Sequence, residues 1–112
     1  MIAIGSHVAV GPRVVFATAT HPVHWHERAL RSDDGSLLHG AMCRALPITV
    51  GDHVWIGANA TVLPGVTIGA RSTIGAGSVV SRSIPPDVLA AGNPCRVIRP
   101  LEPSDISNRT LP

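Results

Sequence analysis

Residues 47–84 read PITVGDHVWIGANATVLPGVTIGARSTIGAGSVVSRSI, and a six-residue rhythm runs through them. Val50, Ile56, Val62, Ile68, Ile74 and Val80 are β-branched and evenly spaced. Val54, Ala60, Val66, Ser72, Ser78 and Ile84 stand four places after each, and glycine often follows the leading aliphatic (Gly51, Gly57, Gly69, Gly75). Neither an α-helix nor a β-sandwich repeats this way. A period of six gives one short strand and one corner per hexad, which predicts an all-β chain built as a parallel β-helix.

Three hexads close one triangular coil, so each residue lies beneath the one eighteen positions later. Val50 stacks under Ile68, Ile56 under Ile74 and Val62 under Val80. At the ordinary strand spacing of about 4.8 Å, branched side chains fill a narrow interior without rings. This accounts for 45% hydrophobic residues with only 3% aromatic ones. The corners demand residues that tolerate positive φ. Asn59, Gly65 and Gly77 suit that place, whereas His53 and Arg71 are less comfortable in it. The hand of the coil does not follow, because the general rule for parallel crossovers favours right-handed connections.

Ile4, Val10 and Phe16 start three hexads in the same phase, so residues 1–21 read as a first coil. The rhythm then stops. Residues 22–47 are polar and glycine-punctuated and form an excursion, the kind of long connection that usually carries function in a compact domain. Residues 48–85 hold the main coils, 86–100 leave the coil as a C-terminal extension, and 101–112 read as a frayed tail. The whole, 1–112, is a single domain. Small domains bury a modest share of their surface, which makes oligomerisation an expected remedy. No apolar run reaches the roughly 20 residues of a membrane span, and no signal-peptide pattern opens the chain, so cytoplasmic residence is the default expectation. Cys43 and Cys95 form neither a zinc spacing nor a disulfide framework. A net charge of +2 is weak, but Arg82, Arg96 and Arg99 cluster after the repeats in a patch suited to phosphates. Neither nucleic acid nor membrane is expected as a partner.

The run from Pro47 to Leu101, with ATHPVHWHER upstream, resembles the left-handed β-helix acetyltransferases of the maltose and galactoside O-acetyltransferase group. Thr-His-Pro before the excursion, Val-Trp-Ile-Gly after it and Gly-x-Pro-x-Arg-Val-Ile-Arg near the end carry the resemblance. It implies a left-handed coil and a homotrimer with active sites between subunits. It also implies acetyl-CoA as co-substrate along the outside of the coils, with no metal. By the same correspondence, His21 matches the catalytic base, Trp55 lines the cofactor and acceptor pocket, and the Ala58 amide stands beside the thioester. Ala76 lies along the pantetheine arm, Ser81 and Arg82 match contacts further along the cofactor, and Arg96 and Arg99 lie near its phosphates. Members of the group carry a helical segment and further coils ahead of the point that matches Met1, and a shorter excursion. The HWHER and RSDDGS segments are therefore expected to reshape the acceptor pocket.

The implied chemistry is acetyl transfer from acetyl-CoA to a hydroxyl of a sugar or similar small acceptor. A hydroxyl is a poor nucleophile, and an imidazole, ordinarily of pKa about 6.5, is largely neutral at pH 7 and able to take its proton. A fixed backbone N–H meets the oxyanion better than mobile water. Blander roles stand beside these. A histidine before a proline is commonly a surface residue, Trp55 occupies an outward place where it could cap a coil face, and terminal arginines are often only solvated. Two other readings remain open: a noncatalytic hexapeptide protein that trimerises and binds CoA without turnover, and a metal-dependent β-helix enzyme resembling the gamma-class carbonic anhydrases. The latter is suggested only by six histidines, of which His21, His24 and His26 crowd one segment.

Overall fold

A computed structural model describes residues 1–28 and 43–106. The first coil comprises β1 (Ile2–Ile4), β2 (Ala9–Val10) and β3 (Val15–Phe16). The excursion opens with β4 (Ala19–Thr20) and a single turn of helix, α1 (Trp25–Arg28), and ends with β5 (Arg44–Ala45). The second coil is β6 (Ile48–Val50), β7 (Trp55–Ile56) and β8 (Thr61–Val62). The third is β9 (Thr67–Ile68), β10 (Thr73–Ile74) and β11 (Val79–Val80), followed by β12 (Val88–Gly92) and β13 (Cys95–Pro100).

The strands stack in parallel into three faces. β1, β6 and β9 form face A, β2, β7, β10 and β12 form face B, and β3, β8 and β11 form face C. Val50 pairs with Ile68, Ile56 with Ile74 and Val62 with Val80, the eighteen-residue register read from the sequence. The chain is a left-handed parallel β-helix. Each interior place repeats the same side-chain class, so branched aliphatics stack on branched aliphatics and are sealed from water. Ile48, Ile56, Ile68, Ile74, Val62 and Val80 are wholly buried. The first coil covers only one side of this column. Ile4 and Val10, in the same places as Val50 and Ile56, remain 46% and 44% exposed.

Between the first and second coils the register is 46 residues, as Ile4 pairs with Val50, Val10 with Ile56 and Phe16 with Val62. That is 28 more than 18, so the chain leaves the prism for 28 residues and returns without disturbing the stacking. The exit and return strands pair antiparallel, Ala19 with Ala45 and Thr20 with Arg44, which closes the neck of the excursion. The RSDDGS segment lies outside the described residues.

Three sequence expectations change. First, His53 and Arg71, like Asn59, take the left-handed conformation with φ of 59°, 64° and 62°, joined by His7, Arg13 and Asp87. A non-glycine residue there costs about 1–2 kcal/mol. From the second coil on the cost is offset because the corner donates its N–H to the coil below, as in His53 to Ser6, Arg71 to Asp52 and Asp87 to Ala70. The side chains then stack along the edge. The His7 and His53 rings lie 4.9 Å apart and nearly parallel, and Arg71 forms an ion pair with Asp87 at 2.6 Å.

Second, the coil does not end at Pro85. Ile68 bridges Ile84 and Ile74 pairs with Ala90, a register of 16 in place of 18. The corner at Ser81–Ser83 is two residues short, so Ile84 is the leading residue of the next coil rather than a partner of Val80. The buried Ser72 hydroxyl stitches the corner that follows, residues 85–88, by donating to Pro85 O at 2.7 Å and accepting from Val88 N at 3.2 Å. β13 then turns back antiparallel on β12. Third, the expected frayed tail is ordered over Pro103–Ile106 as a turn of 3-10 helix. Arg99 holds Asp105 there at 3.0 Å, and this hydrogen bond keeps the Asp105 carboxyl below the usual carboxylate range.

Candidate active site

His21 sits where β4 ends, exposed on the wall of a 630 Å³ cavity lined also by Thr20, Pro22, His26, Glu27 and Arg44. The neck of the excursion fixes one side of His21, through the Thr20–Arg44 pairing and the Leu46 N–H bonded to Thr18 O at 2.9 Å. Proline at position 22 restricts His21 itself to extended backbone. Beyond it, Arg28 Nη1 donates to Pro22 O at 2.8 Å and to Val23 O at 2.7 Å. The cavity volume falls in the range of about 300–1,000 Å³ typical of small-molecule sites. Its walls bring an imidazole pair, one carboxylate and one guanidinium to one place.

The other expected site residues lie on different parts of the prism. Trp55, on β7 of face B, is 56% exposed and stands in register with Ala9 below and Thr73 above. Ala58 and Ala76 stack one coil apart on the edge between faces B and C. There the neighbouring amides are occupied, Gly57 N–H by Ile74 O and Asn59 N–H by Pro12 O, and likewise Gly75 by Ala90 O and Gly77 by Ala58 O. The Ala58 and Ala76 N–H groups between them donate to no acceptor among the described residues. Two coils thus present two outward amides in a row. The glycines make this possible, since a Cβ on Gly57 would come within 2.5 Å of Ala76 N.

Ser81 and Arg82 lie on the next edge, between faces C and A. That is also the edge from which the excursion departs, since Ala17 N–H bonds Val62 O and Leu63 N–H bonds Val80 O along it. Arg96 and Arg99 are on β13. Arg96 is exposed, and Arg99 is engaged by Asp105. Within one chain, His21 and Ala58 are therefore kept apart by face C. The expected base and the expected oxyanion donor thus belong to different edges of one copy of the fold.

Neither cysteine lines the cavity. Burial pushes the Cys95 thiol up, opposed in part by its contact with Ser78 and by the Arg96 charge. Cys43 is exposed at the foot of the excursion. Among the described residues no three His, Cys, Asp or Glu side chains converge as metal ligands. His24 and His26 stack on each other with ring centroids 5.5 Å apart. No helix of the described structure is long and apolar enough to cross a membrane. Sequence reasoning named Glu27 and Arg28 only as part of the HWHER segment and did not single out Arg44. Nothing periodic marks them, because they belong to the segment that abandons the repeat.

Comparison with known proteins adds three findings. The bacterial transferase hexapeptide (six repeats) family matches residues 47–82. The galactoside O-acetyltransferase of Escherichia coli K12 is 48% identical over 104 residues, covering 93% of this chain and 46% of that protein. Among solved structures, a galactoside acetyltransferase in complex with coenzyme A superposes with a TM-score of 0.79 at 43% identity, over 93% of this chain and 47% of the other. A maltose O-acetyltransferase from Clostridium difficile 630 superposes at 0.61 and 31% identity, over 91% of this chain and 67% of the other. The chain spans about half the length of the curated relatives it matches.

Proposed function

This chain belongs to the hexapeptide-repeat acetyltransferases of the maltose and galactoside group, and on that premise we propose that it transfers acetyl from acetyl-CoA to a hydroxyl of a sugar or similar small acceptor. The observation that carries this reading is His21, exposed on the wall of a 630 Å³ cavity beside Glu27 and Arg44. The acceptor hydroxyl would enter that cavity and lose its proton to His21 as its oxygen attacks the thioester carbon. Negative charge then develops on the former carbonyl oxygen, where the outward Ala58 N–H is the donor. As the carbon–sulfur bond breaks, His21 returns the proton to the departing thiolate. No acyl-enzyme is needed.

The residues present fit the co-substrate. The outward amides of Ala58 and Ala76 suit the carbonyls of an extended arm passing along the edge. Trp55 offers an exposed ring on the adjoining face, Ser81 and Arg82 stand exposed across face C on the next edge, and Arg96 suits a phosphate through charge-assisted hydrogen bonds. Arg99 would have to exchange Asp105 for that role. Because His21 and Ala58 stand on different edges of one chain, the reading takes His21 of one copy to meet Ala58 of another, in the homotrimer that the family resemblance implies.

The test is CoA release from acetyl-CoA across a panel of sugars. Turnover that falls at least a hundredfold in His21→Ala, with acetyl-CoA binding retained, is the expected result, since general-base assistance is worth about 10²–10⁴. Unchanged turnover in that variant would remove His21 from the mechanism. Acetyl-CoA binding with no turnover on any acceptor would assign the noncatalytic reading, and a monomer by mass measurement would remove the shared site.

A further inference from the structure

We infer that Arg28 is a positioning residue for His21. The inference rests on the reading of His21 as the base, and it concerns how the backbone that carries the imidazole is held. On its N-terminal side His21 is anchored by the β4–β5 ladder. On its C-terminal side the described structure offers little. Pro22 has no N–H to give, Val23 is 88% exposed, and α1 is one turn with no buried residue. A single helical turn is not stable by itself in water. The turn is closed by Glu27 N–H to His24 O at 3.1 Å and by the ring contacts of His26 with His24 and Trp25.

Arg28 supplies the missing tie. One nitrogen, Nη1, carries two hydrogens and directs them at two successive carbonyls, Pro22 O at 2.8 Å and Val23 O at 2.7 Å. Both are charge-assisted bonds at close to their best length. Fixing two consecutive carbonyls fixes the Pro22–Val23 and Val23–His24 peptide planes and, with them, the torsions of Val23, while the ring of Pro22 sets its own φ between them and His21. The half-buried Arg28 side chain thereby folds α1 back over the His-Pro turn. His21 is then held between a strand pair on one side and a cationic clamp on the other. The clamp also sets where His26 and Glu27 stand on the cavity wall, since both lie on the same turn.

Because only one nitrogen is used, an ammonium can do the same work. Lysine presents three donors at one point, so Arg28→Lys should keep the clamp, and Arg28→Met, which keeps the apolar stem without a donor, should lose it. A 1 Å displacement of a catalytic group is worth about a hundredfold in rate. The expected result is a kcat that falls tenfold to a hundredfold in Arg28→Met, an unchanged KM for acetyl-CoA, and recovery of most of the loss in Arg28→Lys. Added guanidinium ion should restore part of the activity of Arg28→Met and none of that of His21→Ala. A second readout needs no turnover. In two-dimensional NMR of the full chain, the His21 and Val23 amide resonances should shift or broaden in Arg28→Met and return in Arg28→Lys, while amides of the second and third coils stay in place.

Wild-type kinetics in Arg28→Met, or His21 and Val23 resonances unmoved in it, overturn the inference even when His21→Ala is inactive. Equal losses in Arg28→Met and Arg28→Lys overturn it too. Full activity in His21→Ala, or an inactive parent chain, overturns the functional reading first and the positioning role with it.

Discussion

Replacing Gly57 with alanine tests the spacing of the coils at the edge where the outward amides stand. A Cβ there would lie 2.5 Å from Ala76 N and 2.8 Å from its Cα, whereas ordinary contact begins at 3.4 Å. The obstacle is backbone, so no side chain can swing aside, and the coils must part locally by 0.9 Å, the difference of 3.4 and 2.5. The Gly57 N–H to Ile74 O and Gly77 N–H to Ala58 O bonds, each 2.8 Å, would stretch to about 3.7 Å, beyond the roughly 3.2 Å limit of a useful hydrogen bond. Two such losses amount to about 2 kcal/mol. Against them, alanine restricts the unfolded chain and stabilises by about 0.4–1 kcal/mol. Gly57 does not sit at positive φ, so this gain is not cancelled by strain. The net loss is about 1–2 kcal/mol, which for a domain of this size lowers Tm by about 5–15 °C. The assay is thermal unfolding at one fixed protein concentration, because assembly makes Tm depend on concentration. Gly77→Ala serves as the comparison. At φ +72° with nothing within 4 Å of an added Cβ, it meets only backbone strain, about 1 kcal/mol. A Gly57→Ala protein as stable as the parent would refute the claim that glycine here is dictated by the approach of the coil above.

Two further outcomes follow from the corner at residues 85–88. Asp87 is held below the usual carboxylate range by its hydrogen bond from Arg71, so its folded-state value is depressed and its contribution is present above the ordinary carboxylate pKa of about 3.9. Asp87→Asn keeps the left-handed backbone tolerable and removes the pair; the Tm gap between parent and variant should be open at pH 7 and close as the pH falls through the depressed value, and a gap independent of pH would contradict the ion pair as its source. Ser72→Ala strands the Val88 N–H and the Pro85 carbonyl at the corner after Ile84; the urea midpoint should drop by the equivalent of about 1–3 kcal/mol at unchanged slope, and an unmoved midpoint would show that the hydroxyl is dispensable.

The repeat was legible because an interior position in a stacked coil admits one class of side chain, and Val50, Ile68 and their counterparts repeat that class every eighteen residues. The corners were less so. His53 and Arg71 look unsuited to positive φ as single residues, yet the corner bond to the coil below imposes the conformation whatever the side chain. The continuation through Ala90 was hidden because the shortened corner changes the phase from 18 to 16, and a strict period then reads the next coil as an exit. For the site, sequence motifs pointed to His21, Trp55 and the two alanines, and the stacking puts Ala58 and Ala76 on one edge, as their separation of eighteen requires. What no periodicity could reveal was the separation of His21 from Ala58 by a whole face, or the reach of Arg28 back to the turn after His21. Those depend on where an aperiodic segment folds.

The 28-residue departure between two coils has a consequence for how specificity can change. Its two ends meet as an antiparallel pair, Ala19 with Ala45 and Thr20 with Arg44, so the stacking register of the prism resumes intact on the far side. Doubling the length of such a detour costs only about 0.6 kcal/mol in closure entropy. The stretch between the neck strands is therefore a cassette that can be lengthened or rewritten at small thermodynamic cost, and under the proposed function acceptor choice can drift with it while the stacked coils stay unaltered.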